Sequence, residues 1–197
     1  SIALILATIA TGLAQPLTIV SPPGYEDIEG NRSIFPNVAI GFLYPDHPDV
    51  GDQRYHGRFQ ELHSASTFEA QGPGPFEITS LAWRPDRSVN EPYAVDWPIS
   101  IRLTTTTVGD LSRTFANNVG PGGLVEVYSG VVELATDGKP RSESLPHDFD
   151  YLYEFDRPFL YDPQQGDLLL DVVFNEPHPA PWVWADGVDN SGQFVEV

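Results

Sequence analysis

The histidines and the acidic residues are the side chains of this sequence that could do acid–base or metal chemistry. The histidines are His47, His56, His63, His147 and His178. They form neither the H-E-x-x-H pattern nor another pair at i, i+4, which would put two metal ligands on one helical face. His56 and His63 lie seven residues apart in one predicted strand, so they are expected on opposite faces of it. The histidines therefore predict no shared metal or catalytic centre.

The sequence also lacks the short motifs that position a nucleophile or a phosphate. It contains no G-x-S-x-G turn, no phosphate-binding loop and no dinucleotide-binding fingerprint. Paired carboxylates for glycoside hydrolysis would lie about 5–10 Å apart, a tertiary property that spacing does not show. With 28 acidic residues, chance pairs are abundant. We therefore predict a protein without catalytic residues, and an extracellular hydrolase is the weakest alternative.

Two acidic loops have the composition of calcium sites. The candidate ligands are Asp46, Asp49 and Asp52 in one loop and Asp186, Asp189 and Asn190 in the other. Calcium takes about six to eight oxygen ligands, whereas zinc and copper favour cysteine and clustered histidine. Neither loop matches the EF-hand pattern, and acidic turns are usually just solvated. No cofactor is expected, and Ca²⁺ is the ion predicted if either loop binds a metal.

Two further features suit contact with carbohydrate. Trp182 and Trp184 stand two residues apart and are expected on one strand face, where exposed rings would stack on sugars and buried rings would belong to the core. Core or subunit contact is the favoured interpretation. Asn31 opens a formal glycosylation sequon, a triplet that is also common by chance. An extracellular carbohydrate-binding β-sandwich module with structural calcium is the alternative function.

The first fourteen residues are the most apolar stretch of the chain. The candidate subunit-contact residues are Ile2, Leu4, Ile5, Leu6 and Ile9. Bulky and small side chains alternate and both faces are apolar, which is typical of a strand buried between two layers. The run is shorter than the about 20 residues that a membrane-spanning helix needs, so no membrane span is expected. An apolar run followed by small residues is also typical of a secretory signal, so a signal remnant is the alternative.

The composition predicts one acidic, exported domain. A formal net charge of −18 over 197 residues disfavours nucleic acid and anionic membranes as partners. Cysteine is absent, so no disulfide or thiolate chemistry is available. The length fits one domain, placed at residues 16–197 behind an apolar N-terminal arm of residues 1–15. The apolar arm indicates export from the cytoplasm, so we expect a secreted protein that is extracellular or lies at the cell surface.

Short segments separated by Pro, Gly, Asp and Asn turns predict an all-β fold. We expect an antiparallel β-sandwich, jelly-roll-like, with about ten strands and one short helix. In Pro98–Thr107 apolar and polar residues alternate, so one face is expected to pack inward and the other to meet water. The helix is predicted at Asp110–Asn118, with Asp110 as its N-cap. The predicted strands cover residues 17–20, 38–44, 54–62, 76–83, 98–107, 124–134, 149–155, 168–174, 182–185 and 194–197.

Several short segments of the sequence, taken together, resemble those of a known group of proteins. They include Ile78–Asp86 (ITSLAWRPD), Ile101–Thr106 (IRLTTT), Leu111–Gly120 (LSRTFANNVG), Val127–Gly130 (VYSG) and Phe159–Pro163 (FLYDP). Over roughly residues 20–175 the chain resembles uncharacterised exported proteins of environmental bacteria, which often end in a PEP-CTERM sorting segment. The resemblance implies a β-rich exported domain on the cell surface or in extracellular matrix, without known catalytic residues. This chain departs from that pattern because it carries no Pro-Glu-Pro motif.

Together these features predict a non-enzymatic structural protein. A strand carrying Leu4, Ile5 and Leu6 is unfavourable in water, because burial of each such side chain contributes about 1.5–3 kcal/mol. Thr11-Gly12 and Gln15-Pro16 follow it and suit a hinge. Insertion of this strand into a neighbour's sheet would be head-to-tail and would propagate as an open filament. The expected partners are copies of the chain, or extracellular polysaccharide in the alternative. A first strand within its own domain is the competing outcome.

Overall fold

A computed structural model describes residues 3–8, 17–21, 23–29, 31–35, 58–112, 114–139, 142, 145–174, 183–187 and 194–195. The strands are β1 (Ala3–Thr8), β2 (Leu17–Ser21), β3 (Asn31–Phe35), β4 (Arg58–His63), β5 (Phe76–Trp83), β6 (Tyr93–Thr106), β7 (Val125–Thr136), β8 (Tyr151–Tyr161), β9 (Asp167–Phe174), β10 (Val183–Gly187) and β11 (Phe194–Val195). One α-helix, α1, spans Ala65–Glu69, and 3₁₀ helices span Phe115–Asn118 and Pro163–Gln165.

Within these residues the chain is mostly β, and every ladder between strands is antiparallel. The expected antiparallel β class and single short helix are confirmed. The expected count of about ten strands is not matched. The strand predicted at residues 38–44 lies outside the described part.

The strands pair into two large sheets and one small one. The four-stranded sheet has the order β2-β1-β5-β8, the five-stranded sheet has the order β11-β4-β9-β6-β7, and β10 pairs with β3. One hydrophobic cluster contains side chains of both large sheets, among them Trp83 and Tyr153 from the first and Phe59 and Val172 from the second. The rings of Phe59 and Trp83 meet edge to face with centroids 6.4 Å apart. The inner faces of the two large sheets therefore share one core.

The predicted N-terminal strand forms inside the four-stranded sheet. In β1, Ile5 is paired with Ile19 of β2 on one side and with Leu81 of β5 on the other. β2 ends this sheet, so its ladder to β1 is what joins it to the other strands. Ile2 and Ile9 lie outside the described residues.

The outer face of β6 differs from its prediction. Its inner residues Ile99, Ile101 and Leu103 are buried as the alternation predicts, but Ser100 and Thr104 on the other face are buried too. The expectation that this face meets water is wrong at Ser100 and Thr104, and Arg102 between them is only partly exposed. Alternation identifies the two faces of a strand, but it does not show that a later segment returns over one of them.

The segment that lies over this outer face is the loop after β6. Leu111 of the loop forms a small hydrophobic cluster with Leu62 of β4 and Leu169 of β9. Farther along the loop, a Cβ atom built on Gly120 would lie 1.8 Å from the carbonyl oxygen of Thr105 in β6. The loop backbone therefore touches the strand directly, and glycine is required at this point of contact.

The helix predicted at Asp110–Asn118 is wrong in type and extent, because only Phe115–Asn118 is helical, as a 3₁₀ turn. The amide of Ser112 donates to Oδ1 of Asn118 at 2.7 Å, and Nδ2 of Asn118 donates to the carbonyl of Ser112 at 2.8 Å. The Asn118 side chain thus forms hydrogen bonds with both the amide and the carbonyl of Ser112. Bonds of this kind compete with the α-helical ladder, so the segment folds as a closed loop.

The α-helix lies instead at Ala65–Glu69, directly after β4. The side chain of Ser64 caps it by accepting from the amide of Ser66 at 3.3 Å. Thr67 and Phe68 supply its buried side, and Phe68 stacks edge to face on Tyr161 with centroids 4.8 Å apart. A helix of five residues gives too short a period to be recognised from the sequence.

The outermost strands β7 and β8 are linked by side chains. Oδ2 of Asp156 in β8 accepts from the amide of Ser129 in β7 at 3.2 Å. Nε of Arg157 donates to the carbonyl of Glu126 at 2.5 Å. Each bond occupies a backbone group of a strand that ends its sheet, and charged side chains at such edges discourage pairing with another chain.

Because the loop backbone touches β6 at Gly120, a methyl group added at this position is expected to destabilise the fold strongly. Gly120→Ala is expected to lower the free energy of unfolding by about 3 kcal/mol, because loop and strand must move apart. Gly122→Ala is the matched control, since no atom lies within 4 Å of a Cβ built there. Urea unfolding of both variants measures the difference. Equal stabilities would contradict the close approach.

Candidate functional site

The described residues include only part of the candidate sites. Asp46, Asp49, Asp52, Trp182, Asp189 and Asn190 lie outside them, as do His47, His56 and His178. Of the calcium, sugar-stacking and glycosylation candidates, Asn31, Trp184 and Asp186 are described, and their backbone lies in the small sheet. There Asn31 pairs with Gly187, Asp186 with Arg32, and Trp184 with Ile34. The ladder thus brings Asn31 and Asp186 to neighbouring register positions. The calcium, sugar-stacking and glycosylation assignments stay predictions.

A polar cluster that the sequence did not reveal is centred on Asp171, on the outer face of the five-stranded sheet. The register places Gln60 of β4 and Arg102 of β6 opposite Asp171 of β9. Asp171 is fully buried. Its Oδ2 accepts from Nε and Nη2 of Arg58 at 2.9 and 2.6 Å, and from Nε2 of Gln60 at 2.6 Å. Its Oδ1 accepts from Nε of Arg102 at 3.0 Å and also from Nη2 of Arg102.

The cluster also holds the loop after β6. Nδ2 of Asn118 donates to Oε1 of Gln60 at 2.7 Å, and Nε2 of Gln60 lies 3.4 Å from the carbonyl of Phe115. The guanidinium of Arg58 stacks on the Phe115 ring, 4.6 Å from its centroid. Both oxygens of Asp171 are occupied by donors, so this carboxylate is not placed to act as a base. The arrangement is that of an anchor between loop and sheet.

A second buried group lies on the inner face of β4. Glu61 and His63 are two residues apart in the strand and therefore share a face. Nδ1 of His63 is 2.9 Å from Oγ of Ser21 in β2, and Nε2 of His63 is 3.6 Å from Oε2 of Glu61. Ser21, Glu61 and His63 are only 3%, 3% and 5% exposed. Burial lowers the pKa of His63, although the Glu61 charge acts in the opposite direction, so the imidazole is neutral at pH 7.

The row of Ser21, His63 and Glu61 has the residue types of a nucleophile, a base and an orienting acid. A hydrolase would need the serine hydroxyl to reach a substrate carbonyl, and Ser21 is enclosed between the two large sheets. The 3.6 Å separation of His63 and Glu61 is also longer than a hydrogen bond. The geometry therefore does not favour acyl transfer.

The sequence carried a weak signal for this group. Glu61 and His63 are a Glu-x-His pair at the end of β4, and a spacing of two in a strand puts both side chains on one face. Searching the histidines at helical spacing overlooks such a pair. Ser21 lies 42 residues before His63, and only the fold brings it there.

A third polar group lies where β6, β7 and the start of β8 meet. Oγ1 of Thr136 donates to Oδ2 of Asp150 at 2.7 Å, and the hydroxyls of Tyr93 and Tyr151 are hydrogen-bonded to each other. Burial raises the pKa of the Asp150 carboxyl above its ordinary value, although the Thr136 bond acts in the opposite direction. Burial, with the nearby Asp150 charge, also raises the pKa of Tyr93.

A cleft of about 210 Å³ lies between β2 and α1. Among the described residues of its lining, Glu26 is the only acidic or basic one, and Thr18, Ser66 and Gln71 are also present. The cleft brings no pair of titratable groups together and supports no specific chemistry.

In the described part of the chain, no group of three or more His, Cys, Asp or Glu residues is arranged to hold a metal ion. Nor does any helix there have the length and apolar character to cross a membrane.

No family model, curated protein or solved structure matches this chain. The resemblance to exported PEP-CTERM proteins therefore stays a prediction, and the function has to be inferred from the geometry.

The anchor at Asp171 predicts that one charge stabilises much of the outer face. Asp171→Asn is expected to lower the free energy of unfolding by about 3 kcal/mol, because two arginines lose their shared counter-charge. Asp137→Asn is the matched control, since the Asp137–Lys139 pair is mostly exposed and such pairs contribute about 0–1 kcal/mol. Urea unfolding compares the two variants. A change at Asp171 no larger than that at Asp137 would show that the cluster anchors nothing.

Because the pKa of Asp150 is raised, removing its charge is expected to increase the stability of the fold, by an amount that depends on pH. A carboxyl whose pKa is higher in the folded state contributes stability below its unfolded pKa, and this is lost as pH rises through the folded pKa. Asp150→Asn keeps an acceptor for Thr136, so it is expected to melt higher than the native chain at about pH 7 and equally at about pH 3. The gain is small, because Asp150 is partly solvated.

Thermal melts across this pH range test the expectation, with Asp110→Asn as the exposed control. A lower melting temperature for Asp150→Asn at neutral pH would mean that the charged form is the favoured one.

Proposed function

We propose that this protein is a non-enzymatic exported structural subunit that self-assembles into an extracellular filament or surface layer. Its two large sheets are the layers of a jelly-roll-like β-sandwich, and copies are joined by exchange of the N-terminal strand. The observation that supports this most directly is the place of β1 between β2 and β5. An N-terminal strand in the interior of a sheet leaves a gap with two open edges when it departs. A second copy of the same strand fits that gap.

Exchange would conserve every strand pair. The arm of one copy would enter the next copy with Leu4 opposite Val20 and Ala82, the register that it has within its own chain. Because the pairs are the same, the balance between closed and exchanged forms depends on the connection and on protein concentration. The connection covers residues 9–16, and eight extended residues span about 26–29 Å. That length is sufficient for a strand to reach an adjoining molecule.

The assembly would have a direction. Each copy offers one arm and one gap, so the contact is head to tail and forms an open polymer unless the rotation closes a ring. Asp156 and Arg157 occupy edge groups of β7, which discourages sheet extension on the opposite side. The net charge of −18 opposes other contacts between copies. Growth through the arm is thus the favoured route.

A non-enzymatic role is supported by the state of the described polar groups. The Asp171 carboxylate is saturated with donors, and the Ser21–His63–Glu61 row is enclosed. Secretion is inferred from the apolar N-terminal arm. The carbohydrate-binding alternative depends on side chains of Trp182, Trp184 and the acidic loops, and no described contact favours it.

Strand exchange can be measured with two single-cysteine variants, because the chain has no cysteine of its own. Leu4→Cys and Ala82→Cys stand opposite each other in the β1–β5 ladder. The two variants are mixed in urea, refolded together and oxidised. We expect disulfide-linked heterodimers on a non-reducing gel, since the arm of one chain enters the other. Leu4→Cys mixed with Val131→Cys is the control, because Val131 is exposed on β7 and should remain unlinked.

The double variant Leu4→Cys/Ala82→Cys distinguishes the competing outcome. A disulfide that forms within this chain, together with no link in the mixture, would show that β1 stays in its own sheet.

Electron microscopy gives the second measurement. Deletion of residues 1–12 should yield soluble, less stable monomers, and a synthetic peptide of residues 1–14 should restore their melting temperature. Polymers that persist unchanged after the deletion would rule the mechanism out.

A further inference from the structure

Arg84 is a buried arginine that joins the segment after β2 to the end of β5. It directly follows β5, and it is 0% exposed. Its Nη1 donates to the carbonyl of Tyr25 at 3.1 Å and to that of Glu26 at 3.4 Å, and its Nη2 donates to the carbonyl of Ile28 at 2.7 Å. These three bonds are called the Arg84 bridge below. A guanidinium in the interior is unfavourable unless its donors are occupied, so the bridge fixes the position of residues 25–28.

The bridge lies past one end of β1. Ala3 of β1 pairs with Ser21 of β2 on one side and with Trp83 of β5 on the other. The chain continues beyond Ser21 into residues 23–29 and beyond Trp83 into Arg84. Neighbouring strands lie about 4.7–4.9 Å apart, so β2 and β5 are about 9–10 Å apart with β1 between them. The Arg84 bridge therefore connects the two strands that border β1.

Apolar packing supports the bridge. Val20 of β2 and Ala82 of β5 form a small buried cluster, against which Tyr25 and Phe149 pack. The guanidinium of Arg84 stacks on the Phe149 ring, 5.2 Å from its centroid. Hydrogen bonds and apolar contacts thus both join β2 and the segment after it to β5.

β2 is also attached to the second large sheet. Oγ of Ser21 lies 2.9 Å from Nδ1 of His63 in β4. Ile19 is 2% exposed and belongs to the core cluster that both large sheets share. These contacts, like the Arg84 bridge, join β2 to the rest of the molecule without passing through β1.

We propose that Arg84 keeps the gap between β2 and β5 open for the arm of a second copy, a role that depends on the strand exchange proposed above. When β1 departs, β2 loses its ladder to that strand, but the Arg84 bridge and the contacts of Ser21 and Ile19 remain. The gap then stays one strand wide, bordered by the backbone groups that had paired with β1. Residues 3–8 of another copy fit it in the same register. Arg84 is the positioning residue of this site, because it acts on the arm through β2.

Preorganisation is the physical reason that Arg84 would affect the affinity for an arm. If β2 moved away together with β1, an incoming arm would bind only those molecules in which β2 had returned. The apparent Kd is the intrinsic Kd divided by the fraction of molecules that can bind. Arginine keeps this fraction high because its planar guanidinium bonds several carbonyls at once, whereas lysine carries a compact point charge.

The test uses the full-length chain carrying Ile5→Pro. Proline is not tolerated in a strand that is paired on both sides, so this chain cannot fill its own gap. The probe is a fluorescein-labelled peptide of residues 1–14, and its binding is followed by fluorescence anisotropy. We expect the peptide to bind this chain, and we expect added Arg84→Lys to weaken binding at least about tenfold.

Arg102→Lys in the same Ile5→Pro chain is the matched control. Arg102 bonds Asp171 in the other large sheet, away from the gap. This substitution should lower the melting temperature but change the affinity for the peptide by less than about twofold, because β2 and β5 keep their places. A general loss of stability would move both quantities in both variants, so the difference between affinity and melting temperature identifies positioning.

Strand exchange and the role of Arg84 fail in different ways. If the peptide does not bind a folded Ile5→Pro chain, strand exchange is wrong and the role of Arg84 is wrong with it. If the peptide binds, and Arg84→Lys weakens binding no more than Arg102→Lys does, strand exchange stands and the role of Arg84 is overturned.

A second measurement uses the native chain and does not depend on any variant folding. Hydrogen exchange followed by NMR compares the guanidinium protons of Arg84 with the backbone amides of β1. Because β1 departs while the Arg84 bridge stays closed, the Arg84 protons should be more strongly protected, relative to their intrinsic exchange rates, than those amides. Equal protection would mean that the bridge opens together with the arm, and would overturn the proposal.

Discussion

The packing of Trp83 between the two large sheets is the contact on which the rest of the structure depends. Its ring meets Tyr153 at 5.1 Å within its own sheet and Phe59 at 6.4 Å across the core, both edge to face. All three are buried, and aromatic pairs of this kind add about 0.5–1.5 kcal/mol beyond the area that they cover. Once these inner faces are joined, polar residues on the same faces are enclosed as well. The burial of Glu61 and His63 follows from this packing.

Strand β4 carries buried polar side chains on both faces. Those on the outer face are hydrogen-bonded, whereas those on the inner face have polar atoms without a hydrogen-bond partner among the described residues. Arg58 and Gln60 point outward to a carboxylate that receives donors on both oxygens, whereas Glu61 and His63 point inward with atoms unpaired. A shift of one residue in the register would exchange the two sets between core and surface. The ladder that pairs Gln60 with Asp171 therefore determines both arrangements. A saturated network of this kind stabilises an anchor between loop and sheet.

Much of the sheet structure could be predicted from local pattern, and most of the candidate site could not. The strand Phe76–Trp83 has the same bounds in prediction and structure, because its apolar positions and flanking turn residues fix both ends. The helix at Asp110–Asn118 failed because Asn118 bonds back to Ser112, which composition does not reveal. Asp171, Arg58 and Arg102 come together from three strands, 113 and 69 residues apart along the chain. Their meeting depends on strand order, and no local signal encodes it.

The bonds from Asp156 and Arg157 to the backbone of β7 make the outer edge sensitive to ionic strength. Both involve charged groups at exposed positions, where dissolved ions compete for the same contacts. Added salt shortens the Debye length from about 30 Å at 0.01 M to about 8 Å at 0.15 M, which also weakens repulsion between acidic copies. If copies assemble as proposed, lateral bundling of the polymers would therefore be favoured in saline surroundings and suppressed in fresh water.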